Sequence, residues 1–252
     1  KMTKIRTRII SVVMLVVTLL TMIPATQASA ADPYNGGAGI ANSKLNVYNS
    51  IGGTKIGTVY AGEGITILRF LDDDYLFIQY STSNGPKKGY VKWQDGNVTH
   101  YDPSCVAKVT DGCNLYYGNS KTLYEKSGSV ETGEIISVIA ANDNWAYVEY
   151  NVNDGTRKRG YIGTGRISYY NKPSEGFDKL YLEKEVTEND IFYVSGTESV
   201  YSGPTTKYPV IGSVSDETVE VYDKNYEGTN VIYYIRYDVD GYDTKKTGFI
   251  IY

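Results

Sequence analysis

The strongest constraint on the fold of this chain is a threefold internal repeat between residues 45 and 250. Each copy contains five short segments of alternating apolar and polar residues, in the same order, separated by turn-forming residues. In the third copy, Val200 and Tyr201 end one segment, a Ser-Gly-Pro turn follows at 202–204, and the alternation resumes at Val210. Glycine allows backbone angles closed to other residues and proline removes an amide donor, so this turn ends a strand. Each copy is therefore predicted to be a small antiparallel β-module.

The alternation within the fourth segment predicts which side chains face the core. Residues two apart on a strand lie on the same face. One aligned position of this segment is apolar in all three copies, and its side chain is predicted to point inward. The position before it is aromatic in all three copies, and its side chain is predicted to point outward. The inward residues are Ile78, Val148 and Ile235, and the outward residues are Phe77, Tyr147 and Tyr234. Because about 60 residues scarcely fill one core, we expect neighbouring modules to pack together or the linkers to add strands.

Composition supports an all-β fold. The chain contains 26 Tyr and 26 Gly among 252 residues. Tyrosine favours pleated, half-buried surfaces and glycine favours turns. After residue 30, apolar residues do not recur with the period of a helix.

The order of segments resembles the bacterial SH3 (SH3b) family. That family has an LNVRSGP-like strand and loop, a VIGTVxxGxxVxVL segment, a WxxV segment and a closing GWV strand. The best matches are 45–47 and 56–68 in copy one, 144–150 in copy two and 200–214 in copy three. The chain departs from the family where Tyr48, Tyr116 and Tyr201 replace its Arg, and where Tyr90, Tyr161 and Phe249 replace its closing Trp. The resemblance implies three tandem small SH3-like β-barrels.

Residues 1–30 are predicted to be a signal peptide. Four basic residues precede an apolar run at 9–23, and Ala28-Ser29-Ala30 has the small residues that signal peptidase requires. The run is shorter than the roughly 20 residues needed to span a bilayer, which disfavours a membrane anchor. The remaining chain divides into module 1 (34–93), a linker (94–104), module 2 (105–167), a linker with a possible extra strand (168–188) and module 3 (189–252).

The charge of the chain disfavours a nucleic-acid partner. Cleavage after Ala30 removes four of the 25 basic residues and none of the 29 acidic ones, so the net charge moves from −4 to −8. No cluster of Lys and Arg remains that could follow a phosphate backbone. No lipid-attachment cysteine motif lies near the cleavage site, and we expect no stable membrane anchor after cleavage.

The sequence offers little for catalysis. A cysteine peptidase needs a thiol activated by a nearby base, but the single histidine, His100, and Cys105 lie in or beside the first linker. In a secreted protein, Cys105 and Cys113 could instead form a disulfide, provided that their Cα atoms lie near 4.4–6.8 Å apart. We therefore leave two alternatives open for these cysteines, a disulfide and free thiols, and predict that the protein is not an enzyme.

Two acidic loops, 72–74 and 238–243, could supply oxygen ligands to Ca²⁺. Neither has the spacing of an EF-hand, and solvated turns explain both. We predict no metal site and no cofactor.

Aromatic side chains are the better candidates for a binding surface. Adjacent exposed rings form flat, rigid contact surfaces suited to sugars and extended peptides. The alternative is that these rings fill the corners of small barrels. The candidate ligand-binding residues are Tyr48, Tyr90, Trp93, Tyr116, Tyr117, Tyr161, Tyr201 and Tyr208.

Together, the repeat, the leader and the resemblance predict a secreted, non-catalytic protein associated with the cell wall. The resemblance implies that it binds peptidoglycan, or another cell-wall polymer, through its tandem modules. The alternative is a module that binds a protein or peptide ligand at the cell surface or facing a host.

Overall fold

The computed structural model describes residues 34–71, 74–94, 96–152, 155–177, 190–239 and 242–252. This part of the chain contains twenty β-strands and a single three-residue 3-10 helix, Thr164–Arg166, so the all-β prediction is confirmed. No helix in these ranges is long and apolar enough to cross a membrane. The predicted signal peptide (1–30) and residues 178–188 of the second linker lie outside the described residues. Residues 34–252 form one compact unit.

The strands form three antiparallel sheets, here called sheets 1, 2 and 3 in chain order. Sheet 1 consists of β1 (Gly37–Ala41), β2 (Leu45–Tyr48), β3 (Lys55–Val59), β4 (Gly64–Leu71), β5 (Tyr75–Tyr80), β6 (Lys87–Lys92) and β7 (Val98–His100). Sheet 2 consists of β8 (Cys105–Val109), β9 (Cys113–Tyr116), β10 (Lys126–Val130), β11 (Ile135–Ala141), β12 (Trp145–Asn151), β13 (Arg157–Gly163) and β14 (Ile167–Tyr169). Sheet 3 consists of β15 (Ile191–Tyr193), β16 (Thr197–Tyr201), β17 (Val210–Ser215), β18 (Thr218–Glu227), β19 (Asn230–Val239) and β20 (Tyr242–Ile251).

The three sheets share one strand order. Sheet 1 runs β3-β2-β6-β5-β4-β1-β7, and sheet 2 repeats this as β10-β9-β13-β12-β11-β8-β14. Sheet 3 runs β17-β16-β20-β19-β18-β15, which matches the first six positions. The same β-bulge interrupts the pairing of the third and fourth repeated segments, between Ile67 and Arg69, Val138 and Ala140, and Val221 and Asp223.

Each sheet curls around its own apolar core. In sheet 1, Val59 on β3 and Ala41 on β1 belong to one buried cluster although they lie near opposite ends of the strand order. The predicted inward residues Ile78, Val148 and Ile235 are fully buried in the cores of sheets 1, 2 and 3 respectively. Among the described residues, no ladder joins the two edge strands of a sheet.

Parts of the linkers extend the sheets. Residues 98–100 form β7, which pairs with β1, and residues 167–169 form β14, which pairs with β8. Phe177 lies against Tyr169 with ring centroids 5.5 Å apart, so it packs on the core of sheet 2.

Sheets 1 and 2 meet through polar contacts centred on the buried Glu149. Its carboxylate accepts Arg157 Nε at 2.7 Å and pairs with Arg159 Nη2 at 2.6 Å. Arg157 Nη2 also donates to Thr66 Oγ1 of sheet 1 at 2.9 Å. Burial acts to raise the pKa of Glu149, but the adjacent Arg159 and Arg157 guanidiniums outweigh burial and hold this pKa below its ordinary value.

Candidate functional site on the first sheet

One pair of neighbouring aromatic rings occurs in all three sheets, on the face turned away from the core. In each pair the residues are register partners on the fourth and fifth repeated segments. The pairs are Phe77 with Tyr90, Tyr147 with Tyr161, and Tyr234 with Phe249, with ring centroids 4.9, 5.0 and 4.8 Å apart and interplanar angles of 35°, 38° and 34°. The repeat therefore preserves the geometry of an aromatic pair as well as the strand order.

The ring pairs of sheets 2 and 3 are buried against each other. Tyr147 meets Tyr234 at 6.0 Å and Phe249 at 5.7 Å, and Tyr161 meets Tyr234 at 5.7 Å, all edge to face. Aromatic rings prefer this arrangement because the positive edge of one meets the negative face of the other. No residue of these two pairs is more than 2% exposed. These rings therefore hold sheets 2 and 3 together.

The equivalent ring pair of sheet 1 has no such partner sheet. Phe77 and Tyr90 are only half-buried. Tyr48, also half-buried, lies opposite Tyr90 on β2, and the half-buried Tyr75 lies two residues before Phe77 on β5. We call Tyr48, Tyr75, Phe77 and Tyr90 the open aromatic face.

Cationic side chains border the open aromatic face. Arg69 is the register partner of Phe77, and Lys92 is the partner of Tyr75. Lys88, on the same side of β6 as Tyr90, donates to the Tyr34 hydroxyl at 3.3 Å. The Arg69 guanidinium lies 5.7 Å from the centroid of the same Tyr34 ring. The face is thus suited to a ligand that offers both flat groups and negative charge.

Sheets 2 and 3 carry different residues at these bordering positions. The counterparts in sheets 2 and 3 are Ala140 and Asp223 for Arg69, Arg159 and Thr247 for Lys88, and Gly163 and Ile251 for Lys92. Small and apolar residues allow two sheets to approach closely, whereas lysine and arginine carry charges that are costly to bury. Charged residues also stand at two of these positions in the covered sheets, where Arg159 is paired with Glu149 and Asp223 is buried. Only the Lys92 position, which is Gly163 and Ile251 in the covered sheets, distinguishes the open ring pair from both covered pairs by its charge.

A second aromatic site lies on sheet 2. Tyr116 and Trp145 meet edge to face with centroids 6.4 Å apart. They line a cavity of about 530 Å³ together with Lys121 and Arg166. Tyr116 and Trp145 occupy the positions of Tyr48 and Tyr75, so this cavity is the sheet 2 counterpart of one end of the open aromatic face.

Two of the predicted ligand-binding residues are buried and not exposed as predicted. Tyr161 and Tyr208 are 0% and 1% exposed and belong to the core between the sheets. Tyr208 folds back over Gly203, at which an added Cβ would lie 2.5 Å from the Tyr208 ring. Gly203 does not have a positive φ. Its role is therefore to leave room for this ring, rather than to adopt backbone angles closed to other residues.

The remaining predicted rings do not form a single surface. Tyr48 and Tyr90 lie on the open aromatic face, whereas Tyr117 packs between sheets on Tyr222, with centroids 5.8 Å apart. Tyr201 packs against the core between the sheets. Trp93 is 41% exposed and meets Phe70 edge to face at 6.4 Å. The prediction missed Tyr75 and counted Phe77 only as an outward residue, although both follow from the period of two along β5.

The thiols and the histidine are not arranged as a nucleophile and base. Cys105 and Cys113 are free, so the disulfide alternative is not formed in this structure. Cys105 is fully buried, and burial raises the pKa of its thiol to about 12, which keeps it protonated at neutral pH. The Nε2 atom of His100 lies 3.3 Å from Ser104 Oγ. Burial lowers the pKa of His100, against an opposing effect of Asp102.

Four residues of the two candidate acidic loops are not among the described residues, namely Asp72, Asp73, Asp240 and Gly241. Within the described ranges, no three His, Cys, Asp or Glu side chains come together in a way that could hold a metal ion.

Comparisons with known proteins do not assign a family. No family model matches the chain, and no curated protein matches it. Among solved structures, it is similar to NlpC2 from Trichomonas vaginalis at 13% identity and a TM-score of 0.24, covering 54% of this chain and 49% of that one. It is also similar to NlpC1 from Trichomonas vaginalis at 10% identity and a TM-score of 0.25, covering 91% and 97%. TM-scores this low do not establish a shared fold, and these similarities assign no function.

Proposed function

We propose that this chain is a secreted, non-catalytic protein that binds the bacterial cell wall through SH3b-like modules. The observation that carries the proposal is the open aromatic face of sheet 1. The equivalent ring pairs of sheets 2 and 3 are buried against each other. A group of four partly exposed rings bordered by cations supports a role in recognition, because contiguous apolar surface is rare on proteins that do not bind a partner there.

The module architecture supports the SH3b-like part of the proposal. Three antiparallel sheets with one strand order, the same bulge and separate curled cores support a small β-module repeated three times. The residues that resemble the family, such as those at 45–47 and 56–68, form β2, β3 and β4 of sheet 1.

The chemistry of the open aromatic face fits peptidoglycan. Aromatic rings stack on the apolar faces of sugars and on extended peptides. Arg69, Lys88 and Lys92 would pair with carboxylates of the wall peptides. Peptidoglycan presents all three groups, namely sugar rings, extended peptides and carboxylates, in one polymer. A neutral sugar polymer would leave the cations unused.

The test is retention of the purified protein, lacking residues 1–30, on purified wall sacculi. We expect the wild-type protein to sediment with sacculi. The Phe77→Ala, Tyr90→Ala double variant should lose at least about tenfold in affinity, because it removes two aromatic contacts with the ligand. The matched control is Tyr60→Ala, which removes a ring that is 58% exposed, directly follows β3 and lies under Lys44.

Two outcomes would overturn the proposal. Recovery of the wild-type protein wholly in the soluble fraction, across a range of salt concentrations, would exclude wall binding. Equal loss in the Tyr60→Ala control would exclude the open aromatic face as the site. Saturable binding of a protein or peptide ligand without retention on sacculi would instead support the alternative, a protein-interaction module.

A further inference from the structure

A second cavity lies where the three sheets meet. Its volume is about 490 Å³, which is enough for a small organic ligand. It is lined by Ile40 and Glu63 from sheet 1, by residues of β13 from sheet 2, and by Ile211 and part of β20 from sheet 3. No single module could form this cavity alone.

The lining of this cavity is strongly cationic although the protein as a whole is acidic. Among the described residues, five basic side chains line it, against two acidic ones, Glu63 and Glu149. The basic residues are Arg157, Lys158, Arg159, Lys245 and Lys246. The net formal charge of the lining is therefore +3, whereas that of the whole sequence is −4.

Not all of this positive charge is neutralised by neighbours. Arg157 and Arg159 share the single carboxylate of Glu149, which leaves one excess charge. Lys245 is paired with Glu220 at 2.6 Å. Lys158 and Lys246 form no ion pair with any described residue, and both are exposed at the mouth of the cavity.

One buried donor in the lining also lacks a partner. Arg159 Nε is inaccessible to solvent and donates to no described atom, although its Nη2 pairs with Glu149 and donates to the Tyr101 hydroxyl at 3.1 Å. Because this atom is closed to solvent, a ligand in the cavity would interact with the charge of the guanidinium and would not accept a hydrogen bond from Nε.

From these features we propose that the cavity at the junction of the three sheets binds a compact multivalent anion. The ligand carries carboxylate or phosphate groups that pair with Lys158 and Lys246, and the nearby Arg157–Arg159 pair adds positive potential. Charge-assisted hydrogen bonds to lysine and arginine supply the affinity, and the partly enclosed setting reduces screening by salt. Because all three sheets line the site, the bound anion also holds the modules together. This site is separate from the open aromatic face.

The test uses citrate as a carboxylate probe and pyrophosphate as a phosphate probe, each titrated calorimetrically into the wild-type protein. We expect one site per chain for at least one probe. The double variant Lys158→Gln, Lys246→Gln should bind that probe about tenfold or more weakly, since two charge-assisted contacts are lost. Both lysines are exposed, so the variant retains the fold.

The matched control is Lys44→Gln, Lys108→Gln, which makes the same change in net charge at exposed positions outside the cavity. It should leave the affinity within about twofold of wild type. Binding of citrate alone identifies a carboxylate site, and binding of pyrophosphate alone identifies a phosphate site. Failure of both probes to bind at physiological salt, or an equal loss in both double variants, would overturn the proposal.

Discussion

The aromatic faces of sheet 1 and of sheets 2 and 3 differ in what covers them, not in how they are built. All three contain the same ring pair with nearly the same separation and angle. In sheets 2 and 3 the pairs interlock as a core, whereas in sheet 1 the pair faces solvent. The residues that differ lie beside the rings, where Arg69 and Lys92 stand in place of Ala140 and Gly163. Among the border positions, only that of Lys92 is charged on the open face and uncharged on both covered faces, because Arg159 and Asp223 replace Lys88 and Arg69 in sheets 2 and 3 respectively.

Truncating a ring should separate the two kinds of face most clearly. Tyr147→Ala removes a fully buried ring, and we expect a loss of about 3–5 kcal/mol in the free energy of unfolding. Phe77→Ala at the equivalent position of sheet 1 should cost less, about 2 kcal/mol, because this ring is only partly buried. Urea denaturation of both variants measures the difference. Similar losses for the two variants would mean that the open aromatic face is covered in solution.

Neutralising Glu149 tests the polar contact between sheets 1 and 2. Glu149→Gln leaves the buried Arg157 and Arg159 without a counter-charge, and we expect a loss of about 3 kcal/mol at neutral pH. Glu125→Gln is the control, because Glu125 is 79% exposed and pairs loosely with Arg236, so its loss should be about 0.5 kcal/mol or less. If the two losses are equal, the Glu149 contact does not stabilise the junction.

The same glutamate gives this junction a pH dependence. The folded protein holds the pKa of Glu149 below its ordinary value, and the unfolded value is about 4.3. The contribution of Glu149 to stability is therefore complete above about pH 4.3 and is lost as the pH falls through the folded pKa. Thermal unfolding of the wild-type protein between pH 6 and pH 3 should show a steeper loss than that of Glu149→Gln. Parallel curves would contradict this assignment.

Replacing the bordering cations should convert the open face into a packing face. The triple variant Arg69→Ala, Lys88→Thr, Lys92→Ile removes all three border charges. Its new residues are those of Ala140 in sheet 2 and of Thr247 and Ile251 in sheet 3. We expect it to dimerise in a concentration-dependent way, because two ring pairs can then interlock as in sheets 2 and 3. Light scattering after size-exclusion chromatography measures the mass. The control Lys44→Ala, Lys108→Thr, Lys126→Ile changes exposed lysines elsewhere and should remain as the wild type. A monomeric triple variant would show that the border charges do not set the difference.

Much of the fold follows from local sequence patterns. The period of two placed Ile78, Val148 and Ile235 inward, and the structure confirms all three because strand geometry alone fixes the face. The strand that opens each sheet was not predicted. In sheet 1 it is Gly37–Ala41, whose small residues give almost no alternation of polarity, and its place is set by pairing with the distant β4.

The candidate site could be predicted only in part, because it depends on contacts between modules. Tyr48 and Tyr90 were identified as aromatic positions, but Tyr161 is the equivalent of Tyr90 and is buried. Nothing in the aromatic pattern distinguishes these two tyrosines. The signal that does so is the contrast between Lys92 and Gly163 beside them, which is meaningful only once the register of the strands is known.

The pairing of sheets 2 and 3 also sets the valency of the molecule. A chain with three repeated modules could carry three equivalent sites, but two of the three ring pairs are buried against each other. On the proposed function, the chain therefore presents one of its three ring pairs to the wall. Any gain from simultaneous binding at several points would have to come from several chains held together, and not from the repeats within one chain.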